Sequence, residues 1–141
     1  MTRSIFAFCA AFALVASPAL SDEIAPSEVV IENARIEAPL SDALPSGWRG
    51  VNLYMDGACV SCHENPELAK TGLSGDLGPK VGMLGEKYSR AELRAILVDP
   101  SAVFGLETPM PGFYVGAPGE TLMTAQEIED VIAYLMEMRR Y

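Results

Sequence analysis

Cys59, Cys62 and His63 stand within five consecutive residues in the stretch GACVSCHENPE. Two thiols three apart with an imidazole beside the second can form half a tetrahedral zinc site, a redox dithiol, or the double thioether anchor of a haem whose iron takes the adjacent imidazole. Each chemistry demands different companions. Zinc needs a second cluster of ligands, but His63 is the only histidine and the remaining cysteine, Cys9, lies in an apolar N-terminal run. A thioredoxin-like dithiol asks for a βαβ setting, which the helical pattern described below does not offer. A plain disulfide leaves the neighbouring histidine unexplained. Covalent haem accounts for all three residues.

An iron held by His63 on one face takes a second ligand or stays open on the other. With both cysteines consumed and no second histidine, the choices are methionine, lysine or an open site. Met55 precedes the anchor too closely, and Met136 and Met138 belong to the closing helix, where methionine more often fills a core. Met83, Met110 and Met123 are loop residues. Met110 is the best placed of them, because Pro109 and Pro111 stiffen the loop that presents its thioether, although each could also be a packed core methionine. A ligating histidine also needs its second ring nitrogen held, and the carbonyl of Pro79 in LGP is the candidate acceptor. A simple turn proline has the same spacing.

The elements that must position these residues read as helices joined by long loops. GWRGVNLYMDGAC carries Val51, Tyr54 and Met55 at helical spacing, one turn before Cys59. TGLSGDLGPKVGMLG, with five glycines and a proline, reads as loop. In YSRAELRAILVDP, Ser89 and Glu92 have capping-box spacing, Leu93, Ile96 and Leu97 share a face, and Asp99-Pro100 ends the run. SAVFGLETPMPGFYVGAPGETL reads as loop. TAQEIEDVIAYLMEMRR repeats the capping box at Thr124 and Glu127, with Ile128, Val131, Ile132 and Leu135 on one stripe and Arg139 and Arg140 at its end. The fold class is all-α. Long loops in so small a domain need something to wrap around, and a macrocycle would supply it.

The compartment fits. Residues 1–21 read as a secretory signal peptide, with Arg3 before an apolar core from Ile5 to Val15 and small residues at Ala19 and Ser21. That core is too short to span a bilayer, so export to the periplasm with cleavage before Asp22 is expected, and no other stretch could span. Residues 22–46, with three prolines, read as an extended N-terminal arm, and 47–141 as one domain. The exported chain has nine basic against 19 acidic residues, which excludes a basic nucleic-acid surface.

In their order, CVSCH, LGP, the MP of TPMPGFY and EIEDVIAYL, residues 47–141 resemble a class I cytochrome c. The resemblance implies the class I cytochrome c fold, with helices and long loops wrapped around one haem c on Cys59 and Cys62. It further implies His63 and Met110 as axial ligands, Pro79 supporting His63, and first and last helices crossing near the haem with Tyr54 and Tyr134 in contact. The Gly50-to-Tyr54 pair stands one residue further from Cys59 than the commonest carrier spacing.

Within that superfamily the leader and arm, GACVSCHENPE, GDLGP, SRAELRAILVDP, TPMPGFY and TAQEIEDVIAYL are similar to the SoxX family, the mono-haem subunits of SoxAX cytochromes of bacterial sulfur oxidation. That similarity implies a SoxA heterodimer partner, with SoxYZ and a downstream electron acceptor met through the complex. It places the L-cysteine S-thiosulfotransferase chemistry on the partner. No independent active site falls to this chain, which would relay the electrons released when thiosulfate is conjugated to a SoxYZ cysteine. Two alternatives are a free-standing class I electron carrier and a haem catalyst whose loop swings off the iron. Methionine-histidine ligation fills both axial positions and argues against the catalyst.

Overall fold

The computed structural model describes residues 22–57, 59–66, 68, 72–114 and 121–138; the expected leader at 1–21 and the arginines at 139 and 140 lie outside them. Among the described residues six α-helices follow in order: α1 Gly47–Asp56, α2 Cys59–Cys62, α3 Leu84–Lys87, α4 Arg90–Val98, α5 Pro100–Phe104 and α6 Ala125–Glu137. Among the described residues there are isolated β-bridges but no strand, and no helix is long and apolar enough to cross a membrane.

The capping signals set where the main helices begin. Ser89 accepts from the Glu92 N–H while Glu92 reaches back to the Ser89 N–H, and Thr124 and Glu127 repeat the arrangement on α6. Each closes two of the donors that a helix start leaves open. Asp99 does what the sequence reading missed. It ends α4 and also accepts from the N–H groups of Ser101 and Ala102, with Pro100 preorganised at the first helical position, so SAVF begins α5 rather than a loop. The glycine-rich stretch likewise gives way to α3 at Leu84.

α6 is the beam of the molecule. Ile128, Val131, Ile132 and Leu135 are all buried, and α1, α3 and α4 pack against it. α1 crosses it at Gly50, where a Cβ would lie 2.0 Å from the Asp130 carbonyl oxygen; only glycine allows that approach. One turn on, the Tyr54 and Tyr134 rings meet with centroids 5.6 Å apart and planes tilted by 59°. The extra residue between this pair and Cys59 does not prevent the crossing. Below it, Asp130 accepts from the Ser46 N–H, the Arg49 guanidinium and the Gln126 amide, tying α1's start to α6.

The segment expected as an N-terminal arm packs against α4 and α6. Ile36 and Leu40 are buried in the core, and Ile36 donates its N–H to Ala91 O. Behind them Arg94 and Glu129 form a buried ion pair at 2.6 Å, Glu129 also accepts from the Leu40 N–H, and Arg94 donates to the carbonyls of Ile36 and Glu37. Every polar atom of the pair's surroundings thus finds a partner, which a buried charge requires.

Candidate haem site

The four residues of α2 bring the sequence motif into position. Cys59 is buried, Cys62 is partly exposed, and His63 follows directly, its N–H bonded to Cys59 O. Burial pushes the Cys59 thiol above its ordinary pKa, as an apolar wall should. The glycine-rich loop then folds back over this turn. Gly75 donates to Val60 O and Gly78 donates to Cys62 O, so the carbonyls that a one-turn helix leaves open are closed by the loop.

That return sets the imidazole. His63 Nδ1 lies 2.7 Å from Pro79 O, and Gly78 rests against the ring, where a Cβ would stand 2.5 Å from Cε1. With Nδ1 held as donor to a carbonyl, Nε2 is the atom left for a metal. The backbone behind the ring is held too: Tyr54 donates its hydroxyl to His63 O, and fully buried Asn65 donates to the Tyr134 hydroxyl. Burial raises the Tyr54 phenol well above its ordinary value, so it stays a neutral donor. Neither Asn65 nor Gly75 and Gly78 stand out as site residues in the sequence. Their only signal is position: Asn65 lies two residues after the histidine, Gly78 immediately before the proline and Gly75 three residues before that.

In front of the ring opens an apolar cavity of about 340 Å³. Tyr54, Val81, Leu84, Leu93, Leu97, Val131 and Leu135 line it, His63 and Cys59 form one wall, and Pro109 and Met110 form part of the enclosure. A smaller adjoining space is bounded by both cysteines, His63, Met110 and Phe113. The volume is of cofactor size, within the ~300–1,000 Å³ usual for such sites. Cys59, an imidazole with one nitrogen spare, and a thioether therefore border the larger cavity, and Cys62 joins them around the smaller space beside it. That donor set fits a haem attached through two thioethers and ligated by nitrogen and sulfur.

The structure brings Cys59, Cys62, His63, Pro79 and Met110 together. It sets the other loop methionines apart: Met83 is exposed beside Pro79 and Lys80 and does not line the chamber, and Met123 is buried in the core near Gly57. Among the described residues no group of three or more His, Cys, Asp or Glu side chains could hold a metal ion.

Three comparisons bear on this arrangement. The family model for cytochrome c matches residues 48–139. A chain of the crystal structure of SoxXA from P. pantotrophus is similar over 84 % of this chain and 100 % of its own length, with a TM-score of 0.76 and 29 % sequence identity. No curated protein matches. With its all-helical build around a CXXCH turn, this chain belongs to the cytochrome c family, carrying a covalently bound haem c and acting as an electron carrier.

Proposed function

We propose that this chain is a periplasmic, mono-haem SoxX-type cytochrome, the electron-transfer subunit of a SoxAX complex in thiosulfate oxidation. The observation that carries this reading is the extent of the likeness to SoxXA. The family model begins at residue 48, and residues 48–141 make up only two thirds of the chain, whereas the likeness to SoxXA covers 84 % of it. The likeness therefore includes part of the segment before the common cytochrome domain.

The residues divide the work as follows. Cys59 and Cys62 would hold the haem through thioethers, His63 Nε2 and the Met110 sulfur would bind its iron, and Pro79 O orients the imidazole and would raise its basicity. When bound, the haem would supply one-electron exchange, and a histidine and methionine ligand pair would raise its potential. The apolar lining from α4 and α6 excludes water, and His63 and Met110 together would leave the iron no position for a substrate. The sulfur chemistry then belongs to a SoxA partner acting on SoxYZ, with electrons passed through this chain to a downstream acceptor. Residues 1–21 serve as the export signal, 22–46 as an arm and 47–141 as the haem domain.

One observation favours a second reading, a free-standing carrier: the arm that a subunit could lay on a partner is laid on α4 and α6 of its own domain. Affinity purification of the tagged chain from cells grown on thiosulfate separates the two. Co-isolation of a second, larger haem protein in equal amount is expected, and isolation of the chain alone overturns the subunit reading.

A further inference from the structure

Among the described residues, the segment that presents Met110 packs against the core but is hydrogen-bonded only at its ends. From Pro109 to Gly112 no hydrogen bond to a described residue is made. Upstream, Thr108 N–H bonds to Gly105 O, close to α5. Downstream, Phe113 donates to Leu97 O, and its carbonyl accepts from the N–H groups of both Leu122 and Met123. Tyr114 adds a contact of a different kind. Its ring is buried, and its hydroxyl donates to the carbonyl of Ile24, 90 residues away in the N-terminal arm.

Ile24 is itself fixed. Its N–H bonds to Leu40 O at 2.8 Å, and Leu40 N–H bonds to the buried Glu129 carboxylate at 3.0 Å. An unbroken line of bonds therefore runs from the centre of α6 through the arm to a tyrosine four residues beyond Met110. We propose that Tyr114 is a positioning residue for the sixth ligand: the arm, through Ile24 and Tyr114, braces the 108–114 segment and holds the Met110 thioether at the haem chamber. This rests on Met110 being the axial ligand, as proposed above. The arm thereby has a function within its own chain, whatever partner the protein meets.

Displacement of the methionine from ferric holoprotein by imidazole reads the brace directly, because imidazole competes for the position that the loop must vacate. Tyr114→Phe keeps the ring and removes the bond, and is expected to tighten apparent imidazole binding about twofold to tenfold, the range of one hydrogen bond. Ile24→Pro deletes the N–H to Leu40 and is expected to act in the same direction, with the double variant no stronger than the larger single effect, since both break one line. Ser89→Ala, which removes the α4 cap and touches neither bond, lowers the melting temperature but leaves imidazole binding unchanged. Wild-type imidazole affinity in Tyr114→Phe overturns the proposal, as does an equal tightening in Ser89→Ala. Met110→Ala run alongside separates the two ideas: if it keeps the sulfur-to-iron absorption band, the ligand assignment has failed, whereas loss of that band with an unaffected Tyr114→Phe means that only the brace has.

Discussion

The carbonyl of Pro79 stands 2.7 Å from Nδ1 of His63, although sixteen residues and a glycine-rich loop separate the two along the chain. A backbone acceptor at this place fixes which ring nitrogen carries the proton and leaves the other for iron. Gly78 makes the approach possible, because the loop must pass over the face of the ring to deliver the carbonyl.

Gly78→Ala is accordingly expected to disturb the iron site rather than the fold at large. A methyl 2.5 Å from Cε1 and 2.7 Å from Nδ1 forces either the ring or the loop to move. The expected result is a lower yield of holoprotein and a shifted reduction potential, measured by haem absorbance per chain and by redox titration. Pro79→Ala, which keeps the carbonyl, is expected to shift the potential less. The reverse order would remove the Pro79 carbonyl from the account.

Met110→Ala tests the other face of the iron. Of the three loop methionines only Met110 borders the chamber, so its loss is expected to abolish the sulfur-to-iron band in the red and to lower the reduction potential. Met83→Ala should change neither, since Met83 is exposed outside the chamber. A band that survives Met110→Ala would reassign the ligand.

How much of this was legible in the sequence follows from the range of each interaction. The caps at Ser89 and Thr124 are local, three residues long, and the helices they begin could be read directly. The CXXCH turn was equally local. Asp99 misled because one residue both closes α4 and opens α5, and a stop signal hides the start signal beside it. Residues 22–46 were expected as an extended arm, but their contacts could not be placed, since the partners, Arg94, Glu129 and Tyr114, lie 57 or more residues away and nothing in their spacing announces a contact. The bond from Tyr54 to His63, nine residues away, and that from Asn65 to Tyr134, 69 residues away, also have no signal in the spacing. Only the helix crossing at Gly50 brings those hydroxyls to the haem turn.

The buried Arg94–Glu129 pair predicts a stability effect. Arg94→Met leaves the Glu129 carboxylate buried with the Leu40 N–H and without its cation, and strips the Ile36 and Glu37 carbonyls of their donor. A loss of about 3–5 kcal/mol in denaturant unfolding is expected, the usual result of removing one partner of a buried pair. Arg94→Met combined with Glu129→Met should recover part of that loss, because the stranded charge is gone. No recovery would mean that the guanidinium acts mainly by holding the arm's carbonyls.

Asp130 gives the pH dependence its direction. Burial alone would raise its carboxyl pKa, but the Arg49 guanidinium, the Ser46 N–H and the Gln126 amide outweigh burial and bring it below the ordinary value. A folded-state pKa below the unfolded one means that the unfolded chain binds the proton more readily as pH falls. The contribution is therefore fully present well above the unfolded value of about 3.9 and is lost as pH drops through the lower folded value. Asp130→Asn is expected to be less stable than wild type at pH 7, by about 1.5–3 kcal/mol if hydrogen bonds to the carboxylate dominate. Arg49 contributes modestly to that figure because its side chain is half exposed. The difference between the two proteins should narrow as pH falls below about 4, since wild type then loses the same charge. Urea unfolding of both proteins between pH 7 and pH 3 checks this, and a gap that stays constant with pH would show that Asp130 acts through its shape and not through its charge.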